Sequence, residues 1–243
     1  MTRGRFSGFI KNITRPARLY FRLHNRWTRP FYGKYFGLSS LDKKIEGYLP
    51  HKNGYFVELG ANDGITQSNT KYFELFKSWK GVLIEAYGPN FQKCVRNRKK
   101  TTKSFHAACV SSEFSSKKVK LLYSNLMTIS LDGDNQIEDP RAHALEGREF
   151  LESSEQVHLF EAPARTLESI LDEALAPSEM DLLSLDVEGS EIEVLKGLNH
   201  SRYKFHFICV ETRNEKAMKN YLSPFGYQLV EKLTEHDLLF RRF

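Results

Sequence analysis

The spacing of apolar positions changes at about residue 54. Before it, Phe6, Phe9, Ile10, Ile13, Ala17, Tyr20 and Phe21 recur at helical intervals and share one face. Pro16 interrupts that face and predicts a kink or two short helices. Trp27, Pro30 and Gly33 mark a looser passage into the body. From Gly54 onward, short apolar runs alternate with amphipathic stretches. Strands are predicted at Tyr55–Gly60, Gly81–Ala86, Ser104–Val110, Met180–Val187 and Phe205–Thr212. Helices are predicted at Asn69–Trp79, from Pro89, and at Thr166–Leu175, Ser190–Leu198 and Asn214–Leu222. Tyr227–Leu233 and His236–Arg242 read as a closing strand pair around Thr234–Glu235. Residues 118–163 break the alternation, with strand-like pieces at 118–123 and 157–161 around a polar segment. Alternating βα units of this length predict a mainly parallel sheet with helices on both faces. Residues 1–45 are expected to form a basic aromatic arm, and 46–243 one α/β domain.

Charge sharpens this division. Residues 1–41 carry nine Lys or Arg and no acid, whereas the remaining 27 bases face all 30 acids. The net charge of +6 therefore belongs to the arm, and the body is mildly acidic. Cys94, Cys109 and Cys209 are far apart, with no metal-ligand spacing, so neither a disulfide framework nor a zinc site is indicated. No apolar run reaches the ~20 residues of a membrane-spanning helix. The N-terminus has no apolar segment of the secretory type, so the expected location is the cytoplasm. The basic aromatic face of residues 1–35 adds an expectation of peripheral docking on the anionic inner membrane surface. Oligomeric state is not readable.

Open α/β sheets bind ligands beyond the carboxyl ends of their strands. Acids stand at four such ends: Glu58 with Asp63, Glu85, Asp186 with Glu188, and Glu211. The first loop, Gly60 to Gly64, does not suit a phosphate. A dinucleotide fingerprint starting at Gly60 would need glycines where Asn62 and Ile65 stand, and the Gly-Lys-Ser/Thr end of a triphosphate loop is absent. Its carboxylates suit a ligand with a cationic end instead. Glu85 lies where an acid commonly grips ribose hydroxyls. A ligand with ribose, no phosphate and a positive methionine-like end is S-adenosylmethionine.

The runs Phe56–Gly64 (FVELGANDG), Leu83–Ala86 (LIEA), His106–Ala108, Thr166–Ile170 (TLESI) and Leu185–Glu191 (LDVEGSE) resemble those of FkbM-family methyltransferases, over about residues 54–243. Glu168 stands where many relatives carry Asp. The resemblance implies a three-layer, Rossmann-like class I methyltransferase sandwich. Its mainly parallel sheet would be closed by a C-terminal antiparallel pair, with a helical N-terminal arm. It further implies that Glu58, Gly60, Asn62, Asp63 and Gly64 surround the methionine part and sugar edge of S-adenosylmethionine. Glu85 would take the ribose hydroxyls, Ala107 and Ala108 would border the adenine, and Asp186 would sit beside the amino group and the reacting methyl.

The resemblance makes O-methylation of a hydroxyl on a sugar, in a glycan or glycolipid, the leading expectation. A hydroxyl is a weak nucleophile at neutral pH and benefits from a base. Glu188 and Glu211 are the leading candidates, with His106 in reserve. A divalent metal on Asp186, Glu188 and Glu211 is a further option, but spacing alone cannot show convergence, and it is not favoured. His143, His158, His200, His206 and His236 form no ligand spacing and receive no role. The insertion at 118–163 is expected to set acceptor specificity, with Tyr123, Asn125 and Ser130 as candidate sugar partners. Two other readings compete. A nucleic-acid methyltransferase could use the arm on phosphates, but the acidic body and the absence of an Asn/Asp-Pro-Pro-Tyr/Phe motif disfavour it. A non-enzymatic binding module is opposed by the intact cofactor motifs.

Overall fold

A computed structural model describes residues 34–243, of which Phe36–Phe243 form one compact unit. The arm's predicted helical face lies outside the described residues. The first helix, α1 (Leu41–Tyr48), belongs to the compact unit, and Leu41, Asp42 and Ile45 are buried within it.

Seven strands build the main sheet. They are β1 (Tyr55–Leu59), β2 (Lys80–Glu85), β3 (Thr102–His106), β8 (Glu179–Leu185), β9 (Lys204–Glu211), β10 (Tyr227–Lys232) and β11 (Asp237–Arg242), in the order β10-β11-β9-β8-β1-β2-β3. The five from β3 to β9 are parallel, and β11 turns back antiparallel to both β9 and β10. This is the sheet with its closing pair that the sequence predicts. Strand order reverses at β1, so the carboxyl ends of β1, β2, β8 and β9 lie side by side at the switch point.

Side chains alternate across the sheet and give each face its own core. Val57, Leu59, Val82, Ile84, Leu183, Leu185, Ile208 and Val210 pack with three helices, α5 (Leu167–Ala174), α6 (Glu191–Lys196) and α7 (Glu215–Leu222). Phe56 and Phe207 face the other way, Phe56 under the Arg98 guanidinium at the end of α3 (Gly88–Asn97) and Phe207 against Tyr48 of α1. Side-chain oxygens of Thr166 and Asn214 cap α5 and α7. The helix expected over 69–79 is shorter, α2 (Lys71–Phe76), because Ser78 turns into the left-handed region at φ 58°. Trp79 then leaves the helix and buries its ring against Phe73.

The expected strand Ser104–Val110 divides in two. After His106 the chain leaves the main sheet, and β4 (Ala108–Cys109) opens a second one with β5 (Lys118–Tyr123), β6 (Ile129–Ser130) and β7 (His158–Arg165), in the order β4-β7-β5-β6. The sequence contains the two longer pieces but not the sheet that unites them. Helix α4 (Pro140–Glu146) completes this insertion; Asp139 accepts from the backbone N–H groups of Arg141 and Ala142 and so starts it. Among the described residues no helix is long and apolar enough to cross a membrane.

Candidate active site

The loop after β1 is shaped by left-handed backbone. Gly60, Asn62 and Gly64 have φ of 72°, 47° and 79°. A Cβ on Gly60 would fall 1.9 Å from the Asp186 carbonyl oxygen, so only glycine lets β1 and β8 end this close together. The loop is held by Ala61 N–H donating to the Ile84 carbonyl and Gly64 N–H to that of Ala61.

The acids expected around the cofactor divide into two groups. Glu58 and Asp63 build the loop. Glu58 accepts from the Ser68 hydroxyl (2.9 Å), the Asn69 N–H (2.8 Å) and the Thr70 hydroxyl (2.6 Å), and pairs with Arg98 at 3.3 Å. Asp63 accepts from Ile65 N–H, Thr66 N–H and the Thr66 hydroxyl. Both carboxylates are thus engaged by the protein's own groups, and they hold the loop expected to surround the cofactor. Asn62 is likewise occupied, donating to Asn125 and accepting from Asn90.

Glu85, Asp186, Glu188 and Glu211 form the second group. Glu85 accepts from Asn62 N–H and Tyr87 N–H, each at 2.8 Å. A carboxylate has about four acceptor positions, and the Ala86 N–H also acts on this one, so part of its acceptor capacity remains. Burial pushes Glu85 up to about 7. Asp186 is raised well above the ordinary range, first by burial and then by Glu211 and Glu188. Burial, followed by Glu188 and Asp237, pushes Glu211 up to about 8. Burial also lifts Glu191, to about 7; its carboxylate accepts from Gly189 N–H and closes the turn into α6. Around Asp186 and Glu211 the crowding of acids opposes ionisation, a cost that a nearby cation would relieve.

A pH effect on stability follows. Glu85, Glu191 and Glu211 hold their protons to higher pH folded than unfolded, where free Glu is 4.5. Their contribution is full below about pH 4.5 and is lost as pH rises through 7 to 8. Urea unfolding without ligand should therefore show stability falling by on the order of 5 kcal/mol between pH 6 and pH 8.5. A rise over that interval would contradict the placement of these carboxyls.

His106 does not join the cluster. It ends β3, four strand spacings from β9 and so about 19 Å from Glu211. Its Nε2 lies 2.9 Å from the Ala86 carbonyl and its ring stacks on Phe91. It is a strand-end residue beside the second loop, which corrects its reserve role as a base. Ala107 donates its N–H to the Glu85 carbonyl, but its side chain belongs to the main core, while Ala108 packs into the second sheet. Among the described residues, no three His, Cys, Asp or Glu side chains are arranged to hold a metal ion. The option of a metal on Asp186, Glu188 and Glu211 therefore has no geometric support, and no step is derived through one.

The insertion roofs both halves of the site. Asn125 meets the first loop through Asn62. Tyr123 stacks on Tyr87 with ring centroids 4.0 Å apart. Gln136 N–H donates to the Gly189 carbonyl at 2.9 Å, and the Thr212 hydroxyl reaches the Gln136 side chain at 3.3 Å. His143, which sequence spacing passes over, places Nε2 2.8 Å from Glu188 Oε2. Glu188 and Gly189 both adopt positive φ, 53° and 96°, and a Cβ on Gly189 would fall 2.3 Å from Asn135. Of the three sugar candidates, Tyr123 is spent on Glu155, Asn125 on Asn62, Phe150 and Glu155, and Ser130 on Asp132.

The family model described as the methyltransferase FkbM domain matches residues 58–237. No curated protein matches the chain. A methyltransferase FkbM structure from Methylobacillus flagellatus KT is 16% identical over 78% of this chain and 43% of its own, with a TM-score of 0.41. A methyltransferase from Pyrococcus furiosus is 13% identical over 95% of this chain and 98% of its own, at 0.43. The precorrin-6y C5,15-methyltransferase of Geobacter metallireducens GS-15 is 10% identical over 84% and 88%, at 0.44. The matched segment runs from Glu58 at the first loop to Asp237 behind the acid cluster, more than half of the chain, and the chain belongs to the FkbM methyltransferase family.

Proposed function

We propose that this methyltransferase takes its methyl group from S-adenosylmethionine and places it on a hydroxyl of a sugar, in a glycan or glycolipid. The observation that carries this reading is the pairing of Glu85 with the acid cluster across the switch point. Glu85 accepts one backbone hydrogen bond on each oxygen and keeps acceptor capacity toward ribose hydroxyls. A sulfonium and an ammonium beside Asp186 and its neighbours would offset the crowding and burial that keep these carboxyls protonated. Gly60 and Gly64 admit close backbone approach. Bound there, S-adenosylmethionine supplies an electrophilic methyl carbon; the protein's task is to orient the acceptor, exclude water and remove one proton.

Glu188 and Glu211 are the two carboxylates placed to take that proton. Glu211 near 8 is half protonated at mildly alkaline pH, while Glu188 is kept beside His143 and Arg213. Glu188→Gln is expected to lower the methyl-transfer rate by about 100-fold or more with little change in cofactor affinity, as loss of a general base does. Full turnover by both Glu188→Gln and Glu211→Gln, each with cofactor bound, would remove the base assignment.

The arm supports a location for this chemistry. Its bases share a segment with an apolar helical pattern, the composition of a peptide that lies on an anionic bilayer. A lipid-linked acceptor would then be presented at the same surface. Co-sedimentation with phosphatidylglycerol vesicles should be lost on deleting residues 1–35. Binding unchanged by that deletion would remove the membrane role, and salt-sensitive RNA binding lost with it would favour a nucleic-acid acceptor instead.

A further inference from the structure

The junction between the insertion and the strand ends contains a side-chain chain that the cofactor motifs do not account for. Arg213 Nη2 donates to His143 Nδ1 at 3.4 Å. Arginine has no acceptor, so Nδ1 is unprotonated and the imidazole hydrogen sits on Nε2. That Nε2 lies 2.8 Å from Glu188 Oε2, approached obliquely to the ring's N–H direction. His143 is buried in α4, and Glu188 lies on the turn before α6, 45 residues later in the chain. Two further contacts lock the pair: Asn135 Nδ2 reaches the Glu188 carbonyl at 3.4 Å, and Gln136 N–H the Gly189 carbonyl at 2.9 Å.

The same junction holds buried polar atoms with no aligned partner: Gln136 Nε2, His143 Nε2 and Glu191 Oε2. Native proteins rarely leave such atoms unsatisfied except where water or a ligand completes them. Glu188 Oε2 faces His143 and, at 3.9 Å, Arg213; among the described residues Oε1 has no hydrogen-bond partner. Carboxyls of Asp186, Glu191 and Glu211 surround Glu188, with Asp237 of β11 beyond them.

We propose that His143 is a positioning residue for the acceptor reaction: Arg213 fixes its ring, and the ring's Nε2 edge, 2.8 Å from Glu188 Oε2, fixes where that carboxylate stands, leaving Oε1 to take the acceptor's proton. The inference rests on Glu188 being the base. The hydroxyl oxygen forms its bond to the methyl carbon as the carbon–sulfur bond breaks, with that bond's electrons returning to sulfur. The hydroxyl proton passes to Oε1 and then to water. His143 gains and loses no proton in this step; it holds the Glu188 carboxylate in place among its acidic neighbours. The insertion thereby contributes to the chemistry itself, and the base is assembled only when the roof is in place.

The test uses the full chain labelled with 15N-histidine and 13C-carboxyl glutamate, with Glu188→Gln identifying the Glu188 signal. His143 is expected to show an unprotonated Nδ1 and a protonated Nε2 at pH 7. In His143→Leu the Glu188 13C-carboxyl signal at pH 7 should broaden or double as the side chain leaves its single position, and in His143→Gln, which keeps an N–H donor, it should return to one sharp line. A protonated Nδ1 in the wild-type chain, or an unchanged Glu188 signal in a folded His143→Leu protein, would overturn the proposal. The tautomer is read on the unsubstituted chain, so a misfolded variant leaves the test intact. Failure of Glu188→Gln to reduce methyl transfer would instead remove the base reading and leave the measured His143–Glu188 coupling standing.

Discussion

Glu85→Ala should weaken S-adenosylmethionine binding about 100-fold or more. Hydrogen bonds to charged groups contribute about 1.5–3 kcal/mol each, and two ribose hydroxyls would be lost together, at 1.4 kcal/mol per factor of ten. The substitution also frees Asn62 N–H and Tyr87 N–H, which fix the first loop and the start of α3 relative to each other. It removes a carboxyl whose charging is opposed by burial, so global stability near pH 8 should fall little. Calorimetric titration beside a thermal melt separates the two effects. Retention of wild-type affinity would remove Glu85 from the cofactor site.

Arg98→Met carries the largest expected loss of stability. The guanidinium is buried at the end of α3 and makes five contacts: Glu74 at 3.1 Å, Glu58 at 3.3 Å, the Gly64 carbonyl at 3.2 Å, Ser68 at 3.1 Å and Thr70 at 2.8 Å. It neutralises two buried carboxylates at once. Glu74 is held down at about 2, because Arg98 and the hydrogen bonds from Lys71 and Thr102 outweigh the burial that would raise it. Breaking a buried pair from one side costs about 3–5 kcal/mol, because the partner stays buried without its counter-charge. Lys71 still reaches Glu74 at 2.7 Å, so Glu58 bears most of the loss. The urea midpoint of Arg98→Met should fall accordingly, and the Gly60–Thr70 segment should lose amide protection first. A change below about 1 kcal/mol would show that the network is not what holds the loop.

These results explain why some of the site could be read in the chain and some could not. The main sheet was legible because βα alternation is a local signal: Val57, Leu59, Val82 and Ile84 mark their own strands. The pair at 227–242 was legible for the same reason. Glu85, Asp186, Glu188 and Glu211 were legible as strand-end acids, since strand ends of an open sheet are where ligands bind. Spacing could not tell Glu58 and Asp63 from them. Whether a carboxylate faces a ligand or its own loop depends on Arg98, Ser68 and Thr66, which reach it only through tertiary folding or a local turn. His106 misled because strand-end position says nothing of lateral distance across the sheet.

The second sheet was hidden for a related reason. Its pieces, β4, β5, β6 and β7, are separated by loops, and two of them are only two residues long. Short strands carry little periodicity. The pairing of Lys118–Tyr123 with His158–Arg165 bridges a distance in sequence that no window spans. His143 followed the same rule. Its meeting with Glu188 and Arg213 is made by the fold of the insertion, and no ligand motif announces it.

The central claim is that the carboxylates at the switch point serve transfer of a methyl group to a sugar hydroxyl. Trideuteromethyl-labelled S-adenosylmethionine, incubated with the full chain and a cell-envelope glycan extract, tests it most directly when the labelled product is identified by mass spectrometry. A trideuteromethyl ether on a sugar ring, diminished in Glu188→Gln, is the result expected. Label on a base nitrogen of nucleic acid, or no labelled product from a chain that binds the cofactor tightly, would contradict it.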